Sequence, residues 1–454
     1  MSEIKFPSQP TSADQVLDSI TEMQKGDADW RRGRLFSLIY HAESELEEVA
    51  KAAYMSCFSL NALSHGAFPS LARMEADVVG MTADLLGSPG APGNLTSGGS
   101  ESNFLALKTA RDRAREVLPQ IKAPEVIVPW SGHPSLSKAA GYLGIKVVRA
   151  ELDSDQRALV ASVVESITPN TILIVASAPS WPHGEVDPVA ELARLALSRN
   201  LMLHFDACVG GFVLPFARRL GRPVPDFDLS VDGVTSISAD VHKFGYSSKG
   251  ASVILYKTHD IYAFQPFDFE DWTGGNYTVS TVLGSRAGGA VAAAWATIHY
   301  LGLPGYLELT RRCLAATQGF MDAVTAVEGA SAVQPVCVRL PRPGHQGGLR
   351  RVGGGRLASA AAGKPSKFPA PDHHPESRSG RGRVRARPAG GGQPGATRRD
   401  QRRGRSRTLQ LTPSRLNRRG MSKPWARLAQ PARSATPCSR SSTARRPEGM
   451  SDRP

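Results

Sequence analysis

The sequence predicts an α/β fold in which a mostly parallel sheet lies between helices on both faces. Two observations carry that prediction. From about residue 100 to about residue 340, short apolar runs rich in β-branched residues (EVIVP, IKVVRAEL, TILIVASA, NLMLHFDA, VTSIS and ASVILY) alternate with segments of helical periodicity (SNFLALKTARDRAREVL and PVAELARLALSRN). Strand and helix in alternation is the order of parallel pairing, in which each crossover covers a face of the sheet. The second observation is size: 454 residues hold one large domain of roughly 250–300 residues, a smaller one and an ample core.

Ahead of the alternation, residues 11–87 read as helical. TSAD offers a start, and apolar residues recur at helical spacing through LFSLIYHAESELEEVAKAAY and LARMEADVVGMTADLL. After it, two further helices are expected at GSRAGGAVAAAWATIHYLG and YLELTRRCLAATQGFMDAVTAV, then a strand at SAVQPVCVRL. Beyond Leu340 the chain turns to Arg, Gly, Pro, Ser and Ala, with no Ile, no Tyr, one Phe (Phe368) and one Trp (Trp425). Such a segment buries too little apolar surface to offset chain entropy, so disorder is expected there. No internal repeat is present.

The net charge of +14 suggests a nucleic-acid partner until it is divided along the chain. Residues 342–454 hold 27 of the 55 basic and 5 of the 41 acidic residues, a net of +22, which leaves a net of −8 for residues 1–341. Five scattered cysteines (Cys57, Cys208, Cys313, Cys337, Cys438) with no CxxC pair argue against a disulfide framework and for a reducing compartment. No metal-ligand cluster, signal-type N-terminus or apolar stretch of membrane-spanning length stands out. The expectation is a soluble cytoplasmic protein with a small-molecule substrate.

Four short features carry chemistry, and each also has a plain structural reading. NLTSGGSESN, at 94–103, runs into a helix: glycines let backbone approach an anion, and the free N–H groups of the helix start attract it. It serves equally as a Ser cap with Gly in a turn. His133, in WSGHPSLSKAA, follows a strand and could stack on a planar ligand, or simply start a helix. Asp206 ends the strand in LMLHFDACVGG, where a carboxylate needs a cation or donors unless it caps a turn; Cys208 shares its strand face by the two-residue period. Lys243, in SADVHKFGYSSKG, follows another strand. A lysine becomes a carbonyl nucleophile where desolvation or a neighbouring cation favours its neutral form, and His242 and Lys249 are close in sequence; alone, it reads as an exposed charge. Together the four supply an anion site, a platform, a pyridinium partner and a Schiff-base amine, the needs of pyridoxal 5'-phosphate.

TSGGSES, HPSLSKAAGYLGIKVVR, SWPHGEVDPVAELA, HFDACVGGF, DGVTSISADVHKFGYSSKGAS and DWTGGNYTVSTVLGSRAGG closely resemble the sphingosine-1-phosphate lyase family, within the fold-type-I group II decarboxylases that depend on pyridoxal phosphate. The resemblance covers roughly residues 28–340. It implies an aspartate aminotransferase-like large domain with a mostly parallel seven-stranded sheet, divided here as an N-terminal helical segment (1–60), the cofactor-binding domain (61–303), the start of a small C-terminal domain (304–341) and the basic tail (342–454). It implies that Lys243 forms the Schiff base, Asp206 holds the pyridine nitrogen protonated and His133 stacks on the ring. Gly98, Gly99 and Ser100 would bind the cofactor phosphate, helped by His242 and Ser238, with Cys208 nearby. The family's site lies at a homodimer interface, so the segment around Gly275 would serve the partner subunit.

Cofactor alone does not choose between retro-aldol cleavage and decarboxylation. HKFGYSSKGAS keeps the lyase-like Gly-Tyr-x-x-Lys-Gly pattern, and Lys249 could pair with a substrate phosphate. The expectation is a lyase that splits a phosphorylated long-chain base into phosphoethanolamine and a fatty aldehyde, with an amino-acid decarboxylase as the alternative. Eukaryotic lyases of this type carry a membrane span that this chain lacks. The resemblance stops near Arg342. The tail reads either as an out-of-frame translation of a GC-rich gene, which would make the chain an inactive remnant, or as a nucleic-acid-binding arm; the abrupt change in mid-strand favours the first.

Overall fold

The computed structural model of the chain describes residues 4–33, 35 and 38–327. The strand expected at SAVQPVCVRL and the tail 342–454 lie outside the described residues.

Three helices come first: α1 (Ala13–Gln24), α2 (Ser44–Ser56) and α3 (Pro69–Leu85). Ser12, within the TSAD start, caps α1 by accepting a hydrogen bond from the Gln15 N–H, which satisfies a donor the helix start leaves free. The main body then runs β1 (Gly93–Thr96), α4 (Gly99–Val117), β2 (Glu125–Pro129), α5 (Pro134–Leu143), β3 (Lys146–Ala150), α6 (Val160–Glu165), β4 (Thr171–Ser177), α7 (Val189–Arg199) and β5 (Met202–Asp206). It continues through α8 (Leu214–Arg219), β6 (Ser236–Ala239), β7 (Ser252–Tyr256), α9 (His259–Tyr262), a hairpin of β8 (Phe267–Phe269) and β9 (Tyr277–Val279), and α10 (Gly288–Thr325).

Seven strands form one sheet in the order β1-β7-β6-β5-β4-β2-β3. Pairing is parallel from β6 to β3, while β7 is antiparallel to both β6 and β1. The mostly parallel sheet is therefore as the strand–helix alternation requires. The sequence pattern did not show β1: its four residues, GNLT, carry one large apolar side chain and give no periodicity to read. The hairpin β8–β9 is equally short and exposed.

Alternate residues along the strands fill two cores. Ile127, Ile174, Leu203, Phe205 and Ile237 face α3, α7, α8 and α10, whereas Val126, Val128, Leu173, Val175 and Met202 face α4 and α5. Each fully buried Leu, Ile or Phe contributes about 1.5–3 kcal/mol of transfer free energy. The two helices expected after residue 284 lie end to end as α10, broken at Gly302 (φ 51°, ψ −172°) just before Pro304. Only glycine enters that backbone region readily, and proline cannot continue the hydrogen-bond ladder.

Candidate active site

Because β2, β4, β5 and β6 run parallel, their carboxyl ends open on one edge, where ligands of such sheets bind. The four features picked out from sequence meet there around one cavity of about 380 Å³, within the range of small-molecule sites. Gly98, Gly99 and Ser100 enter from the start of α4, His133 from the start of α5, Asp206 from the end of β5 and Lys243 from the turn after β6.

The glycine loop is held by Glu101. One oxygen accepts from the Ser97 N–H at 2.7 Å, and the other accepts from the N–H groups of Val282 and Leu283 at 2.7 and 3.2 Å. Gly99 has to be glycine, because a Cβ there would lie 2.5 Å from the Cys208 sulfur and 2.9 Å from both Asp240 carboxylate oxygens. The loop is thus pressed against the turn that follows β6, and its backbone faces the cavity.

Asp206 is buried among donors. Asn103 Nδ2 donates to its Oδ2 at 2.9 Å and the Cys208 N–H to its Oδ1 at 3.1 Å. Burial alone would raise its pKa, but these donors and the charge of Lys243 outweigh it and hold the carboxyl below the usual range. The shared strand face expected for Asp206 and Cys208 is corrected: β5 ends at Asp206, and Cys208 reaches the cavity from the turn beyond it. Burial, with the nearby carboxylates, pushes the Cys208 thiol pKa well up, so it stays protonated.

Lys243 Nζ sits 2.9 Å from Asp240 Oδ2. The expectation that neighbouring cations favour its neutral form is overturned. Burial does act to lower its pKa, but the carboxylates of Asp240 and Asp206 raise it above the ordinary lysine value, so the amine is an ammonium. Asp240 is almost fully buried, and its Oδ1 has no hydrogen-bond partner. His242 Nδ1 accepts from the Ala251 N–H at 3.3 Å, which leaves its Nε2 3.5 Å from Asp240 Oδ2. Burial lowers the His242 pKa.

His133 combines its two readings: it caps α5, with Nδ1 accepting from the Ser135 N–H at 3.2 Å and lying 2.8 Å from Ser135 Oγ, and it lines the cavity. Ser238 is placed elsewhere. It lies beneath the cavity, donating to Asn103 Oδ1 at 3.1 Å and accepting from Cys208 Sγ at 3.3 Å, because in a pleated strand that ends at Ala239 it faces α4 rather than the open edge. Lys249 borders a second cavity of about 350 Å³, lined by apolar and aromatic side chains such as Ile39, Tyr40, Leu46 and Tyr54. Its Nζ donates to the His242 carbonyl at 3.0 Å and stands 5.4 Å from the Tyr40 ring centre; His242 lines both cavities. Gly275 lies outside both, in the β8–β9 connection.

Sequence reasoning missed Asp240, Asn103 and Glu101. Asp240 could have been found, since a carboxylate three residues before a lysine in a tight turn can reach it. Nothing in the sequence singles out Asn103 on its helix.

A lysine, a strand-end carboxylate kept ionised, an imidazole and a glycine loop that tolerates no Cβ fit pyridoxal phosphate residue for residue, on the sheet of fold-type-I enzymes. Comparison makes the assignment specific. The pyridoxal-dependent decarboxylase conserved domain matches residues 1–334, and the chain belongs to that family. It is 43% identical over 326 residues to a sphingosine-1-phosphate lyase of Oryza sativa subsp. japonica, covering 70% of this chain and 60% of the relative. It is 35% identical over 287 residues to a probable L-tyrosine/L-aspartate decarboxylase of Methanothermobacter thermautotrophicus, covering 63% of this chain and 77% of that one. Among solved structures, the sphingosine-1-phosphate lyase of Burkholderia pseudomallei superposes with a TM-score of 0.71 at 34% identity, over 74% of this chain and 79% of that one. The chain spans 60% or less of the length of the eukaryotic lyases it matches.

Proposed function

We propose that the protein is a pyridoxal phosphate-dependent carbon–carbon lyase that cleaves a phosphorylated long-chain base between C2 and C3, giving phosphoethanolamine and a fatty aldehyde. The observation that carries this reading is the pair of adjoining cavities. One holds the cofactor residues; the other is lined mainly by apolar and aromatic side chains, with Lys249 and Lys51 and the carboxylates of Glu43 and Glu47 also on its wall, and His242 joins the two. A phosphorylated amphiphile needs both a cation and an apolar wall beside the reacting carbon.

Bound in the first cavity, pyridoxal phosphate supplies an aldehyde that takes up an amine and a ring that withdraws electrons from the bond to be broken. The chain supplies the rest. Backbone N–H groups at Gly99 and Ser100, at the start of α4, would hold the phosphate. Asp206 would present a fixed negative charge to the ring nitrogen, and His133 would cover the ring. Lys243 would supply the amine for the cofactor's aldehyde, and until then Asp240 Oδ2 at 2.9 Å holds it in place as an ammonium.

A second reading, amino-acid decarboxylation, rests on the likeness to the Methanothermobacter protein. We also propose a homodimer, supported by the exposed Phe267, Phe269 and Trp272 around the β8–β9 hairpin, and a cytoplasmic location, supported by the free thiols of Cys57 and Cys208. To test the function, purified protein is loaded with cofactor, reduced with borohydride and digested. A pyridoxyl group on the Lys243 peptide, lost in Lys243→Ala, is expected. With a phosphorylated long-chain base as substrate, aldehyde without carbon dioxide supports the lyase, and carbon dioxide release from amino acids supports the second reading.

A further inference from the structure

We infer that Asn103 is a positioning residue that ties the two faces of the cofactor cage together, fixing the carboxylate of Asp206 and, through Ser135, the imidazole of His133. The inference rests on the pyridoxal phosphate site proposed above. Asn103 lies on α4, 1% exposed, and all its hydrogen-bonding capacity is used. Nδ2 donates to Asp206 Oδ2 at 2.9 Å and to Ser135 Oγ at 3.1 Å. Oδ1 lies 3.1 Å from Ser238 Oγ and 3.2 Å from His204 Nε2.

Chemistry fixes the direction of every bond in this network. An ionised carboxylate only accepts, so the amide nitrogen must face Asp206 and the amide oxygen must face Ser238 and His204. His204 therefore carries its proton on Nε2, and Nδ1 accepts from Ser236 Oγ at 2.9 Å; burial lowers its pKa to about 4, so it is neutral. On the other side, the hydroxyl of Ser135 receives one bond from Asn103 and is left to donate to His133 Nδ1. That nitrogen also accepts from the Ser135 N–H. With Nδ1 accepting both bonds, the His133 ring must carry a proton on Nε2. It offers the cavity an N–H donor and no free lone pair in the ring plane. The groups that bear on Asp206 are Asn103 from α4, His204 on its own strand, the Cys208 N–H, and Lys243 after β6. Of these, Asn103 alone also reaches the His133 side.

The test uses the full chain, labelled with ¹⁵N-histidine, as wild type, Asn103→Ala and Ser135→Ala. Cofactor affinity is measured by equilibrium titration with pyridoxal phosphate from about pH 3.5 to pH 8. Losing one donor to a carboxylate should move the acid limb of cofactor affinity in Asn103→Ala upward by about one to two pH units. In Ser135→Ala the limb should stay in place while the His133 Nδ1 resonance, assigned by its loss in His133→Asn, shifts, because Nδ1 loses the hydroxyl donor and keeps only the Ser135 N–H. The role is overturned if Asn103→Ala lowers affinity by one factor at every pH, or if His133 resonances are the same in all three proteins. Should Asn103→Ala fail to fold, Ser135→Ala still decides the His133 arm. If the wild type binds no cofactor, the proposed site fails, while the resonances of the cofactor-free chain still test the network.

Discussion

Replacing Asp240 by Asn removes the charge that neutralises Lys243 while keeping the side chain's shape. The pair is 2.9 Å apart, with Asp240 1% and Lys243 24% exposed. At an effective dielectric of about 20, two unit charges at that distance attract by about 6 kcal/mol before desolvation. Removing one partner of a buried pair costs about 3–5 kcal/mol, because the other charge stays buried without it. A second route gives an upper bound. The lysine can escape by shedding its proton, which from a reference pKa near 10.5 at pH 7.5 costs about 4 kcal/mol. The second figure caps the first, so Asp240→Asn should destabilise the cofactor-free protein by about 3–4 kcal/mol. Urea unfolding at pH 7.5 measures this. A double-mutant cycle with Lys243→Ala isolates the pair, since the double variant should recover most of the loss. The pH dependence has a definite sign: the folded pKa of Lys243 is raised, so the pair's contribution is full below the unfolded value near 10.5 and is lost as pH rises through the higher folded value. A coupling energy near zero at pH 7.5 would refute the reasoning.

Gly99→Ala should abolish cofactor uptake by titration while leaving the far-ultraviolet circular dichroism unchanged, because the added methyl would overlap the Cys208 sulfur and crowd Asp240. Arg286 makes bonds of 2.9 and 3.0 Å to the two oxygens of buried Glu75 and also donates to the carbonyls of Leu95 and Ala62. Arg286→Ala should therefore cost about 3–5 kcal/mol in urea unfolding. Asp187 accepts from the N–H groups of Ala158 and Ser177, both at 2.7 Å. Burial raises its pKa from 3.8 to about 6. A raised carboxyl favours the folded state most below the unfolded pKa and loses that preference as pH rises to about 6, a change of about 3 kcal/mol. The difference in unfolding free energy between wild type and Asp187→Asn should follow that slope between about pH 4 and pH 6, and a flat difference would refute the assignment.

Sequence by itself determined the architecture and most of the chemistry. Continuous apolar strands alternating with amphipathic helices admit few arrangements, since both faces of such strands must be covered. Residues at the ends of those strands and in the following turns, Asp206 and Lys243 among them, then fall on one edge. The glycine loop and His133 were legible because each stands where a helix begins. What the tertiary structure alone decided is how these groups charge and constrain one another. Lys243 is an ammonium because Asp240 folds back onto it, and cations near it in sequence do not prevent this. Ser238 is withdrawn from the cavity because β6 runs on to Ala239, while Cys208 reaches it from the turn after β5 stops at Asp206. Asn103, an unremarked residue on a helix, became the junction of the site only when α4 packed over the strands bearing Asp206, His204 and Ser238. A sequence pattern records which face of an element is buried. Hydrogen-bond direction and ionisation depend on distances of about 3 Å between residues a hundred positions apart, and those exist only once the sheet has closed.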